Sequence, residues 1–169
     1  ILAQLDLCGN SIGAEGAKAL GEMLLSNTTL TQLDLQSNGI GAEGAKALGE
    51  GLLSNTTLTQ LDLAFNSIAV KGVKALGEML ARNTTLTQLN LGHNDIGAGL
   101  LKTISAACQR NKAFQQQALQ FIQQGVLPED KKQWTVYRTI ALSPFLDNKV
   151  NTAQAQAQYL LAECYAKGH

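Results

Sequence analysis

From Leu2 onward the chain copies itself every 28 residues: Leu30 to Thr57 repeats Leu2 to Thr29 with five differences. The frame Leu-x-x-Leu-x-Leu-x-x-Asn-x-Ile is carried first by Leu2, Leu5, Leu7, Asn10 and Ile12, then by Leu30, Leu33, Leu35, Asn38 and Ile40. It returns at Leu58, Leu61, Leu63, Asn66 and Ile68, and at Leu86, Leu89, Leu91, Asn94 and Ile96. Four copies in register require an architecture in which each repeat is one supersecondary unit that buries its apolar face only against its neighbours.

Each unit can be read from its periods. Leu33 and Leu35 alternate with Gln32, Asp34 and Gln36, which predicts a short parallel strand with the leucines facing the core. Asn38 follows where the chain turns, and an inward amide there can satisfy backbone groups that neither strand nor helix reaches, in a ladder with Asn10, Asn66 and Asn94. From Ala42 to about Leu53 the apolar residues Ala45, Leu48 and Leu52 share a face opposite Glu43, Lys46 and Glu50, the pattern of an amphipathic helix. A helix is about 10 Å wide and strands sit about 4.8 Å apart, so stacked strand–helix units are expected to curve into a horseshoe arc with the strands concave. Gly16, Gly44 and Gly72 recur in the first helical turn, where a larger side chain would hold the helix off its neighbour.

These residues, and the stretch Ile40-Gly41-Ala42-Glu43-Gly44-Ala45-Lys46-Ala47-Leu48 above all, resemble the ribonuclease-inhibitor-type leucine-rich repeats. That type occurs in ribonuclease inhibitors, in the sensor regions of NOD-like receptors and in microbial effectors. The resemblance implies an α/β solenoid over residues 1–113, and it is far more specific for fold than for function.

The fourth copy drifts: Leu100 stands where the glycine recurs, Cys108 stands where Leu24 was, and Gln117 falls where Leu89 was, so the repeat is over. Phe114 fits the next leading leucine. Residues 114–169 are expected to be a helical cap of three helices. The first carries Phe114, Ala118, Phe121 and Ile122, the second starts at Leu127-Pro128-Glu129-Asp130, and the last is capped by Asn151-Thr152. At the other end the chain starts inside a repeat strand. An uncapped repeat exposes core leucines, so either more chain is expected upstream or the first repeat pairs or frays.

Few residues could carry catalytic chemistry. His93 and His169 are the only histidines, so a nucleophile–base pair would depend on His93 in a turn, and the glycines follow the 28-residue period rather than a phosphate loop. Cys8, Cys108 and Cys164 have neither metal-ligand nor disulfide spacing and read as free thiols in a reducing compartment. Asn27, Asn55 and Asn83 head Asn-Thr-Thr sequons that would accept glycan in a secreted protein, and they read as by-products of one duplicated turn. No enzymatic activity, cofactor or metal is expected.

What remains is a binding surface. Residues 1–96 hold five Lys/Arg and nine Asp/Glu, residues 97–169 eight and four, so the two parts carry −4 and +4. Acidic repeats argue against nucleic acid, and no apolar run of the roughly 18 residues a membrane span needs is present. Asp6, Asp34 and Asp62, with Asn90 closing the row, form a column of groups roughly 5 Å apart on successive strands. Such a column either attracts a basic partner or a cation, or is a solvated stripe inherited by duplication. Beside it run Gln4, Gln32, Gln60 and Gln88, a ladder suited to amide hydrogen bonds. Positions differ where the strand ends, at Cys8, Gln36, Ala64 and Gly92 and then at Gly9, Ser37, Phe65 and His93. Phe65 is a candidate anchor there, and the basic Lys131, Lys132 and Arg138 form a second candidate face.

The expected function is a protein-interaction module that takes a partner with a basic surface on the acidic strand face. Resemblance to microbial effectors implies action in a cytosol, including that of a host cell. The alternative is a sensor region of a larger signalling protein or enzyme.

Overall fold

The computed structural model describes residues 2–124, so the expectations for the later helices, the basic face and Cys164 lie outside the described residues. The order is β1 (Gln4–Asp6), α1 (Gly13–Ser26), β2 (Gln32–Asp34), α2 (Gly41–Leu52), β3 (Gln60–Asp62), α3 (Ala69–Arg82), β4 (Gln88–Asn90) and α4 (Ala98–Gln123). The strands form one parallel sheet in the order β1-β2-β3-β4. Its register steps by one repeat, with Gln4 opposite Gln32, Leu33 opposite Leu61 and Asp62 opposite Asn90. The chain divides into two compact units, residues 1–111 and 112–169, and the four repeats lie in the first.

The core of that unit is the repeat frame itself. Leu30, Leu33, Leu35 and Ile40 are buried together with Ala45, Leu48 and Leu52 of α2, and the third repeat buries the equivalent set. Removing such side chains from water is the main force holding strand to helix. In the first repeat Leu2 is 58% exposed where its counterpart Leu30 is 1% exposed, because no described repeat packs on that side.

The asparagine ladder forms as expected. Asn38 Nδ2 donates to Leu7 O, Leu35 O and Gln36 O, and its Oδ1 accepts from Asn10 N and Ile12 N. Asn66 and Asn94 repeat this pattern one and two repeats on. Each amide therefore closes its own turn and ties it to the one before.

The sequon asparagines are a second ladder, which corrects their reading as by-products. Asn55 Oδ1 accepts from Thr57 N and Leu58 N where the chain leaves a helix for the next strand, and its Nδ2 donates to Leu24 O and Asn27 O of the preceding repeat. Asn83 does the same, and Asn111, buried within α4, donates to Asn83 O and Leu86 O. The amide nitrogens of Asn55 and Asn83 are committed to carbonyls, which leaves no place for a glycan on either of these two in the folded repeats. The signal was available: an asparagine recurring with the repeat, at the other place where backbone groups lose their partners.

The glycines act largely as read. A Cβ on Gly44 would lie 2.6 Å from Ile40 Cγ2 and 2.9 Å from Ala17 Cβ, so the clash involves both the isoleucine of the same repeat and the helix before it. In the fourth repeat Ile104 and Cys108 hold the core face. Phe114, however, lies within α4 and starts no strand, and the helix through Ala118 and Ile122 continues α4 instead of being a separate element. Asn27 and Asn83 end their helices in extended backbone, whereas at Asn111 the helix runs on; Lys112-Ala113 follows in place of the Thr-Thr that precedes each strand.

Candidate functional site

The strands are only three residues long, Gln-Leu-Asp in three repeats and Gln-Leu-Asn in the fourth. Alternation turns the leucine inward and leaves the flanking pair on the open face of the sheet. Register then sets Gln4, Gln32, Gln60 and Gln88 in one row and Asp6, Asp34, Asp62 and Asn90 in the next. Both expected columns are therefore present. They line an open cavity of about 830 Å³ that extends to Leu101, Ile104, Ser105, Cys108 and Gln109 of α4. Among the described residues no lysine or arginine lines it.

The carboxylates are held by the backbone. Asp6 Oδ1 accepts from Cys8 N, Asp34 Oδ1 from Gln36 N and Asp62 Oδ1 from Ala64 N, at 2.9, 2.9 and 2.8 Å. Asn90 Oδ1 accepts from Gly92 N in the same way, and its Nδ2 donates to Asp62 Oδ2 at 2.8 Å. Asn90 thus relieves the charge of Asp62, while the second oxygens of Asp6 and Asp34 have no hydrogen-bond partner among the described residues. The field of the row is felt at the exposed Cys8 thiol, whose pKa is raised by desolvation and then by Asp34, Asp6 and Asp62. Thiolate formation is disfavoured beside three negative charges.

The glutamine row departs from expectation. Its side chains make no hydrogen bond to one another among the described residues, so four amides remain available to a ligand. Gln36 is half-buried beyond the strand end, with its N–H on Asp34.

Phe65 and His93 come together, which spacing alone did not show. Their rings stack with centroids 4.0 Å apart and an interplanar angle of 10°. The turn positions carrying them are tied from repeat to repeat: Gly9 N donates to Gln36 O, Ser37 N to Ala64 O and Phe65 N to Gly92 O. All four of these positions have positive φ, +71° at Gly9, 56° at Ser37, 55° at Phe65 and 56° at His93. That backbone suits glycine and strains a bulky residue. Phe65 is nonetheless 49% exposed at the end of β3, three residues beyond Asp62. His93, the one histidine among the described residues, is engaged in this stack.

Cys108 closes the last strand. Its buried thiol accepts from Leu89 N–H, the donor a fifth strand would have taken; burial raises its pKa, and Leu89 and Arg110 lower it by smaller amounts. Arg110 Nη2 donates to Leu80 O at 2.7 Å and to Asn111 Oδ1 at 2.9 Å. Among the described residues no cluster of His, Cys, Asp and Glu is placed to hold a metal, and no helix is long and apolar enough to cross a membrane.

A family model for the leucine-rich repeat matches residues 2–21, 26–49, 54–77 and 82–99. The chain belongs to the leucine-rich-repeat family. Its parallel strand–helix units and asparagine ladders are those of the ribonuclease-inhibitor type. Among solved structures these leucine-rich repeats are similar to leiomodin-1 actin-binding site 2, with 30% identity, a TM-score of 0.68, and 73% of this chain and 72% of that chain covered. A Caenorhabditis elegans tropomodulin C-terminal domain matches at 12% identity and a TM-score of 0.42, over 66% of this chain and 85% of that chain. A search of curated protein sequences gave no significant match.

Proposed function

We propose that this leucine-rich-repeat chain is a non-enzymatic protein-interaction module whose partner presents a basic surface to the open face of the sheet. The observation that carries this reading is the row Asp6, Asp34 and Asp62, oriented by backbone N–H groups in a cavity wall that has no lysine or arginine among the described residues. Carboxylates already ordered lose little freedom on binding and steer an oppositely charged partner. The likeness to a domain titled as an actin-binding site supports a protein partner and makes actin the first purified candidate. A reducing cytosol, including that of a host cell if the chain is a bacterial effector, is part of the same proposal; the free thiols of Cys8 and Cys108 suit it.

The test is affinity capture from a cell lysate, and then binding of purified actin, with the parent and with a variant carrying Asp34→Lys, Asp62→Lys and Phe65→Ala. Circular dichroism first establishes that both are folded alike. A partner held by the parent and lost by the variant supports the sheet face as the working surface. Equal binding by both overturns it.

A further inference from the structure

The exposed aromatic pair at the end of β3 and β4 restricts what kind of basic group this face takes. His93 covers one face of the Phe65 ring, and the pair is 49% open at Phe65. Along the column of equivalent turn positions the order is Gly9, Ser37, Phe65, His93, the first three each tied to the next repeat by a backbone hydrogen bond. The other face of Phe65 is therefore turned toward Ser37, whose side chain is small. Beyond it is Gly9, which has none. One repeat step of about 4.8 Å is wide enough for a single flat group lying on the ring.

The charge beside this slot is negative. Asp34 and Asp62 stand three residues before Ser37 and Phe65, and Asp34 keeps one oxygen free of partners among the described residues. A flat group that carries positive charge and several donors in one plane is a guanidinium. It lies over an aromatic face and bonds a carboxylate edge-on, whereas an ammonium makes a point contact with either.

We propose that the slot between Phe65 and Ser37 takes an arginine side chain of a basic segment lying across the sheet, with its guanidinium on the free face of Phe65 and bonded to Asp34 or Asp62. This rests on the sheet-face reading above and adds the identity of the anchoring residue. A second copy docking sheet face to sheet face does not fit as occupant, because it would bring its own acidic row against this one.

The probes are two fluorescein-labelled peptides, glycine–arginine repeated four times and glycine–lysine repeated four times, titrated by fluorescence anisotropy at low salt. Phe65→Ser places in the third repeat the residue that the second carries at the same φ. Asp34→Asn removes charge while keeping an acceptor for Gln36 N, as Asn90 does for Gly92 N. The parent is expected to bind the arginine peptide about threefold tighter than the lysine peptide. Phe65→Ser should bring that ratio to about one, and Asp34→Asn should weaken both peptides. Equal affinities in the parent, or an arginine preference that survives Phe65→Ser, would overturn the anchor and leave the sheet-face reading standing, provided both peptides still depend on Asp34. If neither peptide binds, or if the parent self-associates through Phe65, both readings fail.

Discussion

Asn66 shows what one side chain contributes to a repeat. Buried, it accepts from Asn38 N and Ile40 N and donates to Leu35 O and Ala64 O. Asn66→Ala would strand those backbone groups away from water at about 1–3 kcal/mol apiece where relaxation does not rescue them. A loss of about 3 kcal/mol or more in urea unfolding is expected. Asn10→Ala, at the exposed end of the same ladder, should cost about 1 kcal/mol, because water replaces its bonds to Leu7 O and Cys8 O. Phe65 has the opposite balance. Its φ of 55° costs a bulky residue about 1–2 kcal/mol, offset in part by the stack on His93. Phe65→Gly is therefore expected to unfold at the same or slightly higher urea concentration while losing partner binding. Cys8 reports the field: its alkylation by iodoacetamide should rise through a midpoint above that of an ordinary thiol, and Asp34→Asn should move the midpoint down by removing a like charge.

Helix packing depends on which small residues face which neighbour. A Cβ on Gly51 would lie 2.9 Å from Gly21 Cα and closer still to the Gly21 carbonyl, so α1 and α2 meet backbone to backbone. The equivalent positions hold Met23 and Met79, and α2 stops at Leu52 while α1 and α3 reach Ser26 and Arg82. Gly77 in α3 is different, for its added Cβ would make an ordinary contact of 3.6 Å with Ile104 Cδ1. Gly77→Ala should stabilise by about 0.5–1 kcal/mol through helix propensity. Gly51→Ala should destabilise by about 1–3 kcal/mol through overpacking. Thermal denaturation of the two variants separates these outcomes, and equal shifts would show that α1 and α2 can part to admit a methyl group between Gly51 and Gly21.

Across the stacked repeats, every interior unit has a neighbour on both sides, whereas the first leaves Leu2 exposed. Inserting a second copy of residues 30–57 after Thr57 adds one full interface, so both the urea midpoint and the slope of unfolding are expected to rise. Binding of a basic partner should weaken as salt increases from low to physiological ionic strength, since exposed carboxylates are screened over about 8–10 Å. The fold was legible in one dimension because its causes are local and periodic: alternation at Leu33 and Leu35 makes a strand, spacing at Ala45, Leu48 and Leu52 a helix, and identical units stack in register. The acidic and glutamine rows followed from that register alone. Whether the glutamines bond one another, and that Phe65 lies flat on His93, depended on side-chain directions and on a turn with positive φ, which no count of residues reveals. The continuation of α4 past Asn111 was also decided in three dimensions, because an asparagine that ends a helix at Asn27 and Asn83 is bonded inside one at Asn111. The pattern names the positions that face one another; only packing sets what their side chains do there.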